Sequence, residues 1–89
     1  MKLKKGRYYK YKYGNLWYIL KCSIVNNDDV GQRYMVKWNP IYFYIIKTND
    51  SSKKENAGNP HVCYHIAYFS EDVTKYKELS KEDLFLELL

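Results

Sequence analysis

The sequence predicts a mostly β (β+α) fold: a small five-stranded antiparallel barrel or curved sheet, with one short C-terminal helix. Three observations predict it. Residues alternate between apolar and polar with period two through much of the first half of the chain, as half-buried strands require. Clusters of Gly, Asn, Asp and Pro punctuate those runs at short intervals. The alternation stops near Ser70, and the last ten residues carry a helix start followed by apolar residues at helical spacing. A chain of 89 residues has room for one core, so residues 1–89 are read as a single domain.

The elements follow in order. Gly6 to Tyr13 is the first strand, with Tyr9, Tyr11 and Tyr13 on one face and Tyr8, Lys10 and Lys12 on the other. Gly14-Asn15 signals a tight hairpin turn. Leu16 to Val25 is the second strand. Leu16, Tyr18, Leu20, Cys22 and Ile24 give it a face that can be wholly buried, while Trp17, Ile19, Lys21, Ser23 and Val25 make a mixed face. Asn26 to Gly31 is a polar loop rich in turn formers. Arg33 to Trp38 is a third strand, with Tyr34, Val36 and Trp38 inward. Asn39-Pro40 interrupts the pattern, because proline has no N–H to give a ladder.

Ile41 to Thr48 is apolar on both faces and rich in β-branched and aromatic residues, which suits a central strand covered on both sides. Asn49 to Pro60 is one long polar loop, a place for function or for loose chain. His61 to Phe69 is the fifth strand, with Val62, Tyr64, Ile66 and Tyr68 as its core face. Ser70-Glu71-Asp72 offers an N-cap followed by acids, and Ser80-Lys81-Glu82-Asp83 repeats that signal more strongly. Leu79 and Leu84 stand at staple positions around the second cap. Leu84/Leu88 and Phe85/Leu89 are i,i+4 pairs, so this helix carries an apolar stripe that has to dock. SH3-like and OB-like barrels both accommodate such a set of elements.

Catalytic motifs are missing from the sequence. Gly6, Gly14, Gly31 and Gly58 are too far apart to form a phosphate-cradling loop. There is no G-x-S-x-G and no H-E-x-x-H. Asp28, Asp29 and Asp50 fall in predicted loops, where acids solvate turns. The expectation is a protein that is not an enzyme and needs no cofactor. His61, Cys63 and His65 would project from one strand face and are zinc-type ligands. No tight knuckle accompanies them, so the expectation is no metal: two surface histidines beside a half-buried thiol.

Cys22 and Cys63 are too few for a disulfide scaffold and are read as reduced thiols of a cytoplasmic protein. The basic N-terminus runs into alternating Tyr and Lys instead of an apolar core, which is not a secretory pattern. Lys21 breaks the longest apolar run, so no membrane span is expected.

Charge is segregated along the chain. Residues 1–13 carry six cations and no acid; residues 70–89 carry three cations and six acids. The net +5 therefore belongs to one strand that is also rich in tyrosine. A basic strand interleaved with aromatics can follow a phosphate backbone or meet an acidic protein. The candidate partner-binding residues are Lys4, Lys5, Arg7, Tyr8, Lys10, Tyr11, Lys12, Tyr42 and Tyr44.

Tyr34-Met35-Val36-Lys37-Trp38 resembles the Tyr-Leu-Val-Lys-Trp strand of chromo-type barrels. The local likeness runs from Trp17 to Trp38. It implies a barrel and, for Trp38, one wall of an aromatic cage for methyl-lysine. The family's following Trp-Glu-Pro segment is missing here, and a buried-looking strand takes its place, which assigns Trp38 to the core. The chain's size and residue usage are similar to those of small accessory proteins of phages and mobile elements, including anti-CRISPR inhibitors.

The functional expectation is a non-enzymatic, small basic binding protein that acts stoichiometrically on a protein or nucleoprotein partner, in the manner of such inhibitors. The partner would present an acidic or a nucleic-acid-binding surface. The alternative is a single-stranded nucleic-acid-binding β-barrel module using the N-terminal Lys/Tyr strand. A homodimer through an exposed sheet edge is a further expectation.

Overall fold

Alternating tyrosine and lysine, broken by one glycine, produces a hairpin. The computed structural model describes residues 3–24 and 41–89, and in it β1 (Tyr8–Tyr13) and β2 (Leu16–Ile24) pair antiparallel. Register runs from Tyr8↔Lys21 to Tyr13↔Leu16, leaving Gly14-Asn15 as a two-residue loop. Gly14 has φ +60°, a conformation that L side chains rarely adopt. β3 (Ile41–Thr48) pairs with β2 antiparallel, and the register shifts at a bulge between Ile19 and Leu20. β4 (Tyr64–His65) pairs with Tyr42 and Phe43. β5 (Tyr76–Glu78) pairs with Tyr9–Tyr11.

The result is one antiparallel sheet of order β4-β3-β2-β1-β5, followed by α1 (Lys81–Leu88). This is the expected mostly β, five-stranded curved sheet with a short C-terminal helix. The strands at the two ends of the order are not hydrogen-bonded to each other, so no barrel closes among the described residues.

Several elements differ from their expectation. β5 was not foreseen, and it makes β1 an interior strand, bonded on both sides. The run from His61 to Phe69 joins the sheet only at β4 and then tightens into a 3-10 turn, Ile66–Tyr68. His65 causes this locally, because its Nδ1 accepts the Ala67 N–H at 3.1 Å and caps the turn. Ile66 and Phe69 consequently face the core, while Tyr68 is 68% exposed instead of buried. The helix signal at Ser70 yields a single 3-10 turn, Val73–Lys75, capped by Asp72. The predicted strand from Arg33 to Trp38, with its chromo-type likeness, lies outside the described residues. The Ser80 cap is observed: its hydroxyl accepts the Asp83 N–H at 3.1 Å and starts α1.

One sheet face carries the core. Tyr9, Tyr11, Tyr18, Leu20, Cys22, Phe43, Ile45 and Tyr76 converge there, closed over by Leu3 and Ile66. Phe69 inserts edge-on among Tyr11, Tyr18 and Phe43, with centroids 5.1–5.8 Å away. Phe43 stacks on Tyr76 at 5.2 Å.

The tyrosine rings are buried, but their hydroxyls reach partners at the boundary. Tyr11 donates to the Phe69 carbonyl at 3.1 Å, and Tyr76 donates to the Ser70 carbonyl at 2.5 Å. Tyr9 accepts the Lys4 N–H at 2.9 Å and donates to Glu78 at 3.3 Å. Tyr18 donates to Asp50, whose other oxygen accepts the Ser52 N–H and hydroxyl at 3.0 and 2.7 Å. Each hydroxyl thus ties an irregular segment to the sheet and avoids an unpaired buried polar group.

Candidate functional site: the lysine face

The opposite face follows from the same alternation. Residues between the core tyrosines of β1 must point away from the core, which places Tyr8, Lys10 and Lys12 together. Register extends these positions into rows across the sheet. One row is Tyr8, Lys21 and Tyr44; the next is Lys77, Lys10, Ile19 and Lys47; then comes Lys12 with Trp17.

α1 lies across this face. Lys10 Nζ contacts both carboxylate oxygens of Glu87 at 2.9 Å, and Lys47 Nζ donates to the Leu89 carbonyl at 3.2 Å. Both lysines flank Ile19 in register, so the helix end covers Ile19, which has no exposed surface. Cations at a helix C-terminus also complement its partial negative charge.

Between β1, β5 and α1 there is a cavity of about 280 Å³. Lys10, Lys12, Lys75, Lys77, Leu79, Asp83 and Glu87 line it. Lys10 and Lys77 stand directly opposite one another on paired strands, an unfavourable arrangement of like charges. Glu87 compensates Lys10 alone. Among the described residues the ion pairs are Lys10–Glu87 and Lys53–Asp50, so Lys12, Lys75 and Lys77 have none. Asp72 has its carboxyl lowered, mainly by the Thr74 hydroxyl and N–H and to a lesser degree by Lys75. A second hollow, about 370 Å³, is lined by Tyr8, Lys21, Tyr44 and Ile46 with Gly58, Asn59 and Pro60 at its rim. The Lys21 ammonium lies 5.8 Å from the Tyr8 ring centroid.

The candidates from sequence therefore separate. Lys10 and Lys12 share the lysine cavity, and Tyr8 and Tyr44 share the second hollow. Lys4, Lys5 and Arg7 are exposed on the approach to β1. Tyr42 packs edge-on against His65 at 5.3 Å and lines neither hollow. Tyr11 is corrected: at 3% exposed it belongs to the core and offers nothing to a partner.

His61, Cys63 and His65 do not form the strand face on which their grouping rested, because only His65 is in β4. No cluster of three or more His, Cys, Asp and Glu suited to a metal occurs among the described residues. Burial pushes the Cys22 thiol up to about 11, away from reactivity.

Sequence reasoning missed Lys75 and Lys77, which join the site only because β5 adds to β1. It also missed how little of the helix stripe docks. Leu84 is half-buried, whereas Phe85, Leu86, Leu88 and Leu89 are exposed, Phe85 by 66% and Leu89 by 77%. No helix of the described residues is long and apolar enough to cross a membrane. No protein-family model, curated protein or solved structure matches the chain.

Proposed function

We propose that this is a non-enzymatic binding domain that acts stoichiometrically on a protein partner, with α1 as the anchor. The carrying observation is the apolar surface that α1 turns to solvent: Phe85, Leu86, Leu88 and Leu89 within five residues. Single exposed apolar residues are ordinary, but a contiguous patch around an aromatic marks an interaction surface. Phe85 and Leu89 are one helical turn apart, the spacing with which a helix enters an apolar groove.

Glu82 and Asp83 are exposed on the first turn of the same helix. A groove complementary to it has an apolar floor and a basic rim. Proteins use basic surfaces of this kind to hold nucleic acid. The domain would act by occupying that surface, as expected for an inhibitor encoded by a phage or mobile element.

Affinity purification from the source cell, with nuclease treatment, tests this. The expected result is a partner that survives nuclease and is lost in a Phe85→Ser/Leu89→Ser variant. Anchors of this type contribute about 2 kcal/mol each, so losing both should weaken binding by about a thousand-fold. Both positions are exposed, so the fold should be unaffected. Capture that is indifferent to this variant but abolished by Tyr8→Ala or Tyr44→Ala would move the interface to the strands and overturn the reading.

A further inference from the structure

We infer that the cavity between β1, β5 and α1 is an anion site for phosphate groups, carried by a polyphosphate or by the phosphodiester backbone of a single strand. The inference rests on the sheet lysines and is independent of the helix contact proposed above.

Four lysines and two acids line the cavity. Two positive charges are left over in a concave space. Lys10 and Lys77 oppose each other on paired strands, so the fold bears a like-charge contact that Glu87 relieves on one side only. Lys12, Lys75 and Lys77 present ammonium groups without an ion pair among the described residues.

Carboxylate and phosphate ligands differ in what they ask of such a site. A carboxylate has one charge and two oxygens, and the cavity already accommodates two of them. A terminal phosphate offers three acceptor oxygens and up to two charges. A phosphodiester has one charge and two free oxygens, but a polyphosphate or a strand brings several phosphates in succession, enough to engage several lysines at once. Lysine binds phosphate as a flexible point charge with three donors, so the site needs no bidentate geometry. Glu87 plays the part of a resident competitor. Its carboxylate holds Lys10 as a phosphate oxygen would, and an incoming anion would gain that fourth ammonium by displacing it.

The test uses the full chain and two probes, sodium pyrophosphate and a short oligothymidine. Pyrophosphate should shift the amide resonances of Lys12, Lys75 and Lys77 in a titration followed by NMR. Oligothymidine binding should weaken with salt, with a log–log slope of about −2 for three lysine contacts. Lys12→Gln and Lys77→Gln should each weaken binding about tenfold and make the slope shallower by about 0.7. Lys54→Gln, an exposed lysine outside the cavity, should change neither.

Glu87→Gln should tighten binding, a direction that structural damage does not produce. Response to pyrophosphate alone identifies a small polyphosphate as the ligand; response to the oligonucleotide alone identifies a nucleic acid; either supports the site. Absence of both at low salt overturns the inference. Equal weakening by Lys54→Gln and Lys77→Gln overturns it as well, since it would reduce the effect to net charge.

Discussion

The two faces of this sheet are built from the same strands by different forces. β1 contributes to both: Tyr9 and Tyr11 are sealed into one, while Lys10 and Lys12 open onto the other. The aromatic face is held by ring packing and by hydroxyls that reach backbone and carboxylate partners at its margin. The lysine face is held by opposite charge and by one apolar residue, Ile19, beneath the helix end. The first arrangement is insensitive to salt and expensive to disrupt; the second is weak, screened and exchangeable. The packing that holds the fold and the proposed anion site therefore lie on opposite sides of one strand.

The largest expected effect breaks the aromatic face. Phe43 is fully buried, stacked on Tyr76 and edged by Phe69. Phe43→Ala removes that ring and should cost about 3–5 kcal/mol in urea unfolding. For a domain this small, such a loss approaches the whole stability. A loss under 1 kcal/mol would mean that the aromatic cluster does not hold the fold.

Asp50→Asn comes next, at about 1–3 kcal/mol. Asp50 is buried and accepts from Tyr18 and Ser52, with Lys53 at 3.5 Å. The Tyr18 hydroxyl, then Ser52, holds its carboxyl down to about 2 from an ordinary 3.8. A folded-state value below the unfolded one stabilises the fold fully above the ordinary value. The contribution fades as the pH falls from about 4 through 2. Thermal melts across that window should show the wild type losing stability that Asp50→Asn never had. Parallel curves would remove Asp50 from the account.

These two residues also mark what the sequence made legible. Alternation divided β1 into two faces and identified the core face of β2, because period two needs only the strand itself. It did not say which face of β1 is buried, and Tyr11 was read as a partner residue; Ser80 announced α1 because a cap is local. β5 was illegible: three residues are too few for a period, and Tyr76-Lys77-Glu78 becomes a strand only by pairing with Tyr9–Tyr11. Lys75 and Lys77 were lost with it, and so was half of the lysine cavity. The run from His61 to Phe69 misled because His65 uses its ring to cap a turn, a choice that alternation does not record. Asp50 was read as a solvated turn acid, although a tyrosine from a distant strand makes it buried.

A smaller effect separates packing from hydrogen bonding within the aromatic face. Tyr76→Phe keeps the ring on Phe43 but removes the hydroxyl that bonds Ser70 twice. About 1 kcal/mol should be lost. Burial, above all, pushes the Tyr76 hydroxyl up to about 12 from an ordinary 10. Here the folded value is above the unfolded one, so the contribution is complete below pH 10 and disappears as the pH rises through 12. Tyr76→Phe should flatten that alkaline decline. An unchanged decline would assign it to the other buried tyrosines, Tyr9, Tyr11 and Tyr18, which are raised in the same direction.

The smallest effect lies on the lysine face and discriminates best between the two. Lys10 and Glu87 keep 24% and 31% of their side-chain surface, so water screens their attraction. A double-mutant cycle with Lys10→Gln and Glu87→Gln should give a coupling of about 0.2–1 kcal/mol. That coupling should nearly vanish at about 1 M salt, where the screening length is only about 3 Å. Phe43→Ala should cost the same at both salt concentrations. If the coupling persists in high salt, α1 is held chiefly by its half-buried Leu84 and by Ile19 beneath the helix end, and the charge on Glu87 is incidental. If it vanishes, the helix end is a latch of low strength, and the lysines it covers can change partners without unfolding the sheet.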